Sequence, residues 1–466
     1  MRIYGRRAAA LCLLGSAAFA TGCAGPQASS GLLGAAPSSL LPKQAGHAHR
    51  RVGPLDGSAP ITHVVIIIQE NRTVDNLFNS LPGANTVQSG ANSLGKSVAL
   101  RPEPLTAPYD LSHRHSAWRV DYANGSLNGF NVAPSNCTAA RACPGRAVRA
   151  YAYVPQSEVQ PYYDLAEAYA FGDQMFATNQ GPSFPAHQYL ISGTSAISDG
   201  SDLLASENPT TSRGKATGGC DSPAGSKVTV IDPSGNESQK VYPCFQRTSL
   251  MQELDNAGLS WRYYQEQPGP GLWNAVNAIQ PLWQSDAANV ISPSEQVLTD
   301  ISNGNLANVT WITPSGAASD HAGRTDGSGP SWVTSIVNAI GQSQYWGSTA
   351  IFVTWDDWGG WYDHVQPPLY NSYELGFRVP LLVISPYAKP GYISHVQHEF
   401  GSILRFTEEN FGLPSLGTTD ARADDLSDCF NFWQARTRFH RIAARLGAQY
   451  FRKVRHSKPD IPDTDY

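Results

Sequence analysis

The residues best placed to do chemistry sit where apolar runs stop. In TAIFVTWDDWGGWYDHV (349–365), the run Ile351-Phe352-Val353 gives way to adjacent carboxylates, Asp356 and Asp357. The Gly359-Gly360 pair and the acid–imidazole pair Asp363-His364 follow. In THVVIIIQENRTVDNLF (62–78), the run Val64–Ile68 ends at Glu70-Asn71. Carboxylates buried without partners are too costly to persist, so these strand ends call for a cation. Hard oxygen donors suit Ca²⁺, Mg²⁺ or Mn²⁺ better than a softer ion, and one divalent ion is expected. Gly181-Pro182 forces a turn that presents Ser183, a candidate nucleophile whose commoner alternative is a helix cap or turn serine. Loop histidines accompany them: His113 and His115 after Asp110, His187 beyond Ser183, and His321 in a glycine-rich loop. Metal, hydroxyl and imidazole together suit phosphoryl transfer, in which positioning and charge stabilisation dominate.

These groups need a scaffold that brings distant strand ends together. Continuous β-branched runs read as buried parallel strands. They occur at Val64–Ile68, in NVTWITP (308–314), at 351–353 and in FRVPLLVISPYA (377–388). Helical spacing is read over 162–176, 332–340 and 398–413. TSLMQELDNAGLSWRYYQE (248–266) reads as a helix capped by Thr248 or Ser249, a stop at Gly258, then a strand. Strands alternating with helices predict an α/β three-layer α/β/α sandwich with a mainly parallel sheet. Open sheets of that kind bind ligands at the carboxyl ends of their strands. One domain is expected over 61–466, with loop-rich insertions near 80–150 and 196–247. The tail 414–466 is expected to be solvated surface.

The composition, 41% hydrophobic and 15% charged, is that of a globular chain. The formal charge of −5 without basic runs excludes a nucleic-acid backbone partner. Arg2, Arg6 and Arg7 precede an apolar run, Ala8–Ala20, that is too short to span a bilayer and reads as an export signal over residues 1–23. Ala20-Thr21-Gly22-Cys23 resembles a lipobox, making Cys23 a candidate lipidation site and membrane attachment point; ordinary cleavage nearby is the alternative. Residues 24–60, rich in Gly, Ala, Ser and Pro, read as a flexible tether. The protein is therefore expected in the cell envelope or secreted. In such an oxidising compartment Cys137–Cys143 and Cys220–Cys244 are expected as local disulfides, leaving Cys429 free.

Four segments carry a resemblance. QENRTVDNLF resembles the opening motif ENRSFDxxF of a bacterial phosphoesterase family that contains phosphatidylcholine-type phospholipases C and a non-specific acid phosphatase. GPSFP, TWDDWGGWYDHVQPP and GFRVPLLVISPYAKPGYISH are similar, in the same order, to its GP(T/S)xPNR, TxDExGGxxDHVxPP and GxRVPxxxxSPW motifs. The resemblance implies an alkaline-phosphatase-like fold, metal ligation by Glu70, Asn71, Asp356 and Asp357, and a phosphoenzyme on Ser183. It places His113 and His321 against the phosphate; His113 is preferred to His115 because it keeps the Asp-x-x-His spacing. Ala186-His187 replaces the Asn-Arg of the family motif, so His187 is a candidate substitute, and Asp357 stands where many members have Glu. His364 belongs to its motif either as participant or as brace. The implied activity is hydrolysis of phosphate esters, acid-phosphatase-like because the chain ends some 50 residues beyond its last core helix. The alternatives are a phospholipase C acting on a phospholipid diester and, remotely, a non-catalytic surface lipoprotein.

Overall fold

The computed structural model describes residues 60–137 and 143–454. The expectations for the export signal, Cys23 and the tether fall on residues 1–59, outside those described. Eight strands build the central sheet: β1 (His63–Gln69), β2 (Ala170–Gly172), β3 (Trp261–Tyr264), β4 (Val290–Ile291), β5 (Val309–Ile312), β6 (Thr349–Trp355), β7 (Leu381–Ile384) and β8 (Tyr392–Ser394). Their order across the sheet is β4-β3-β5-β1-β6-β7-β2-β8. β7 runs antiparallel to both neighbours, and every other pairing is parallel.

The apolar runs at 64–68 and 351–353 become β1 and β6, central neighbours buried along nearly their whole length. Such strands need helices on both faces. Those used below are α1 (Val74–Leu77), α2 (Gln156–Ala168), α3 (Ser183–Ser192), α4 (Gly329–Gly341) and α5 (Phe400–Phe411). α2 packs with α4, and α3 packs with α5. Successive strand residues point to opposite faces, and β6 shows which pair covers which. Phe352 meets Phe406 of α5 with ring centroids 5.1 Å apart, whereas Trp355 meets Tyr162 of α2 at 5.2 Å. The result is the three-layer α/β/α sandwich expected from the strand–helix alternation.

The helix read over 162–176 ends early. It stops at Ala168; Tyr169 is extended (φ −131°, ψ −151°), and Ala170–Gly172 enters the sheet between β7 and β8. Pairing on two sides outweighs the spacing of Leu165, Tyr169 and Phe176, and Gly172 is what lets His398 and Leu381 approach. The turn at Gly181-Pro182 leads directly into α3, whose first residue is Ser183 itself. The tail is not merely solvated surface. Leu426, Cys429 and Phe451 are buried, Phe430 stacks on Phe406 at 5.0 Å, and Asn338 of α4 holds the backbone of Ile442 at both ends. Single apolar residues at irregular intervals dock there, a pattern without a period to read.

The insertion at 196–247 contains a three-stranded antiparallel sheet whose Val228 and Phe245 share a small core with Phe184 and Trp273. The Cys220–Cys244 and Cys137–Cys143 disulfides are both present, and Cys429 is a buried free thiol. Among the described residues no helix is long and apolar enough to cross a membrane.

One buried acid in α5 makes stability depend on pH. Glu408 accepts the Leu416 N–H at 3.1 Å, and burial beside Asp420 pushes its carboxyl up to about 8. A carboxyl raised above its unfolded value stabilises fully below the unfolded value, and that contribution is lost as pH rises through the folded one. Glu408→Gln is therefore expected to melt like the parent at pH 5 and to be more stable, by about 1–2 kcal/mol, at pH 9. Thermal unfolding at the two pH values checks this.

Candidate active site

The register of β1 against β6 builds the centre of the site. Gln69 lies opposite Trp355, so Glu70 and Asp356 leave the sheet side by side, and the Asp356 N–H donates to the Gln69 carbonyl at 3.0 Å. The two turns then interlock. Asn71, at φ 62°, donates its N–H to Asp356 Oδ1 at 3.0 Å and its side-chain amide to Asp357 Oδ1 and Oδ2 at 3.1 and 3.2 Å. Asp357 and Gly359 fold back on the same carboxylates: the Asp357 N–H reaches Asp356 Oδ1 at 2.8 Å, and the Gly359 N–H reaches Asp357 Oδ1 at 2.7 Å. Gly359 is needed on two counts. Its φ is 61°, and a Cβ would lie 2.4 Å from the Asn71 carbonyl oxygen.

The first turns of α3 deliver the hydroxyl and an imidazole. Ser183 and His187, four residues apart, share one helix face. Ser183 Oγ lies 3.4 Å from Glu70 Oε2, while His187 Nε2 lies 3.1 Å from Glu70 Oε1 and 3.8 Å from Asp356 Oδ2. Both residues, with Glu70, Asn71, Asp356 and Asp357, are fully buried or nearly so. Asn71 Oδ1 and Asp356 Oδ2 have no hydrogen-bond partner among the described residues. Glu70, His187 and Asp356 each offer a ligand atom within 4.8 Å of the others. Buried acceptor atoms left over beside clustered carboxylates are what a divalent ion would satisfy, so the residues fit such a group.

The two expected histidines come together on adjoining loops. His113 and His321 have ring centroids 5.6 Å apart, and His113 also stands edge-on to Trp358, the residue before Gly359. Nδ1 of His113 faces the Leu111 carbonyl at 2.9 Å, and Nδ1 of His321 faces that of Ala322 at 2.8 Å. Each ring is thus oriented through its Nδ1.

The support for His321 escaped the sequence reading. Gln69, the last residue of β1, accepts the Asp320 N–H at 3.0 Å and donates to the Ala318 carbonyl at 3.2 Å. Arg72 is fully buried over the Trp361 ring; its Nε reaches the Asp320 carbonyl at 2.8 Å, and its other nitrogens reach Asn76 and Leu105. The Asp320 carboxylate accepts from Tyr162 and Trp355, and burial outweighs Arg72 to push its carboxyl up to about 6. Gln69 and Arg72 flank Glu70-Asn71 directly, so adjacency was the signal available for them.

Two candidates lie elsewhere. His115 pairs with Glu237 at 3.2 Å and stands edge-on to Tyr373. His364 holds Asp75 through Nδ1 at 2.7 Å, and Asp363 receives Arg378 in a two-bond fork at 2.9 and 3.0 Å. These contacts tie that half of the WYDH motif to α1 and to Arg378.

Comparison with known proteins identifies the family. The model of the phosphoesterase family matches residues 61–414. The chain belongs to that family. It is 25% identical to a non-hemolytic phospholipase C of Pseudomonas aeruginosa over 85% of this chain and 60% of that protein, so it spans about three fifths of that relative's length. It is 26% identical to phospholipase C B of Mycobacterium tuberculosis over 82% of this chain and 80% of that protein. Non-specific phospholipase C4 of Arabidopsis thaliana is 23% identical over 81% of the chain and 71% of its own length. Among solved structures, an alkaline phosphatase superfamily protein from Vibrio parahaemolyticus is similar at a TM-score of 0.38 and 12% identity, over 80% of this chain and 72% of that one.

The interlocked turns give a direct test of the phosphoesterase site. Mn²⁺ is expected to raise the parent's melting temperature, and Gly359→Ala should lower stability by about 1–3 kcal/mol and abolish that rise. Gly412→Ala is the control, because Gly412 also has positive φ (67°) but open space around its Cβ position. It should be destabilised yet keep the full Mn²⁺ shift.

Proposed function

We propose that this chain is a metal-dependent phosphoesterase of phospholipase C type, which opens a phosphate ester through a covalent intermediate on Ser183. The observation that carries the reading is the placement of Ser183 Oγ 3.4 Å from Glu70 Oε2, at the edge of the buried Glu70–Asn71–Asp356–Asp357 set and at the first turn of a ten-residue helix. A divalent ion held by that set would neutralise phosphoryl oxygens and lower the pKa of the serine hydroxyl. The positive end of α3 favours an anionic phosphate beside Ser183. Ser183 gives up its hydroxyl proton to solvent, and its Oγ attacks phosphorus as the bond to the leaving oxygen breaks. That oxygen takes a proton from His113 or His321, the paired imidazoles held on adjoining loops. Water then attacks the phosphoserine, returning the hydroxyl to Ser183 and releasing the phosphate product. His187, where the family motif has Arg, takes up Glu70 from the side opposite Ser183, which keeps that carboxylate turned toward the site.

The named relatives favour a phospholipid diester over the monoester expected from chain length alone, since those reported above are phospholipases C that match over four fifths of this chain. The leader read over residues 1–23 and the two disulfides support action outside the cytoplasm.

The test is Ser183→Ala in the full chain, assayed with p-nitrophenyl phosphate and with phosphatidylcholine side by side. Turnover of the preferred substrate should fall by about 10³-fold or more, with Mn²⁺ binding by calorimetry retained. Unchanged turnover would remove Ser183 as nucleophile, and a parent enzyme that prefers the monoester would replace the phospholipase reading with a phosphatase one.

A further inference from the structure

A second cluster of metal-ligating side chains stands at the same edge of the sheet, several strands away from Glu70. β8 ends at Ser394; His398 lies on a short strand paired with Met175; Asp428 and Cys429 come from a turn of the tail. Nδ1 of His398 holds Asp424 Oδ1 at 2.8 Å, which leaves Nε2 facing the tail turn. There Nε2 is 3.9 Å from Asp428 Oδ1, and the same oxygen is 3.6 Å from Cys429 Sγ. The three ligand atoms all lie within 4.8 Å of one another.

We propose that His398 Nε2, Asp428 Oδ1 and Cys429 Sγ form a second, thiolate-containing metal site that takes Zn²⁺ or a similar thiophilic divalent ion. Tetrahedral Zn²⁺, with bonds of about 2.0–2.3 Å, spans ligand-to-ligand edges of about 3.3–3.5 Å, so the trio must close by only a few tenths of an ångström along the two edges given. Asp424 occupies the place of the outer carboxylate that orients a zinc-bound imidazole. It is itself fixed by the Ser402 hydroxyl at 2.6 Å and the Leu426 N–H at 2.9 Å. The two oxygens of Asp428 divide the work. Oδ1 faces the imidazole and the thiol, and Oδ2 takes the hydroxyls of Ser394 and of Tyr392, the latter at 3.2 Å.

Ser394 Oγ, itself buried, also stands 2.9 Å from His398 Nε2 and is a fourth donor. Sulfur distinguishes this donor set from the oxygen-rich one at Glu70, and ligand softness separates the ions the two would choose. Asp428 is 23% exposed, which gives an ion a way in, whereas His398 is closed off. Binding releases the thiol proton to solvent and ties the tail turn to the sheet edge.

Co²⁺ titration of the metal-stripped full chain carrying Cys12→Ser and Cys23→Ser, the parent for this test, reads this site alone, because a thiolate-to-cobalt charge-transfer band requires a free sulfur and the Glu70 site has none. The expected result is one equivalent of band-forming Co²⁺ in the parent and in Asp356→Asn, bleached by Zn²⁺. The band should be absent in Cys429→Ser, and Asp424→Asn should bind about 10–100-fold more weakly. No band in the parent, or a band that survives Cys429→Ser, would overturn the proposal. The parent measurement decides the matter even where a variant fails to fold.

Discussion

The constraint on which the structure depends is the burial of carboxylates at the carboxyl ends of two neighbouring parallel strands. Charges of this kind are tolerated in a protein interior only when every oxygen is engaged. The chain meets that demand first with backbone. Asn71 in a left-handed turn, the Asp357 N–H and the Gly359 N–H all point at Asp356 or Asp357. A left-handed Asn is uncommon and is worth its strain only where surrounding contacts determine it. Here the Asn71 carbonyl lies where a Gly359 side chain would stand, so the two turns specify each other. The acceptors still unsatisfied after this arrangement, Asn71 Oδ1 and Asp356 Oδ2, define where positive charge belongs.

The remaining site parts are each attached to this pair of strand ends by a short chain of contacts. Ser183 and His187 arrive on a helix whose Leu190 carbonyl is held by Trp311 of β5, the strand on the other side of β1 from β6. His321 arrives on a loop pinned by Gln69 and Arg72, the residues immediately flanking Glu70-Asn71. His113 is packed against Trp358, and a Cβ on Gly360 would run into Leu111 at 2.5 Å. Two of these three remote segments, the His321 and His113 loops, are therefore positioned by residues within two places of Glu70 or within four of Asp356, and the third, α3, meets Glu70 through Ser183 and His187. That economy explains why the motifs that carry chemistry are also dense in Gly and Trp: the glycines admit close backbone approach, and the indoles fill the space the turns leave.

What could be read from the sequence followed the physics of short-range signals. Uninterrupted β-branched runs locate β1, β5 and β6, and a carboxylate or amide at the end of a buried run marks the site without any knowledge of which strands adjoin. Cysteine spacing located both disulfides for the same local reason. Signals that depend on pairing partners were weaker. Residues 170–172 share helical spacing with α2, and only the neighbouring β7 and β8 make them a strand. Buried tail residues such as Leu426 and Phe451 carry no period, because each fills a separate depression. Gln69 and Arg72 look like ordinary residues beside a metal motif until the loop they hold is in view.

The histidines show where the limit lies. His187 and His364 were both candidates by residue type, each standing within a family-like motif. Helical geometry separates them: four residues after Ser183 on α3, His187 must share the face of the hydroxyl and meets Glu70. His364 follows an extended turn, and its neighbour Asp363 is taken by Arg378, the residue that enters just before β7. The ion pair turns that end of the motif away from the strand ends and toward Asp75 of α1, so His364 closes a brace between α1 and the loop after β6. The same segment thus performs two jobs by the pleat of one strand and the turn after it. Asp356 and Asp357 stay at the sheet edge where a cation is needed, and Asp363 and His364 lock the turn that keeps them there.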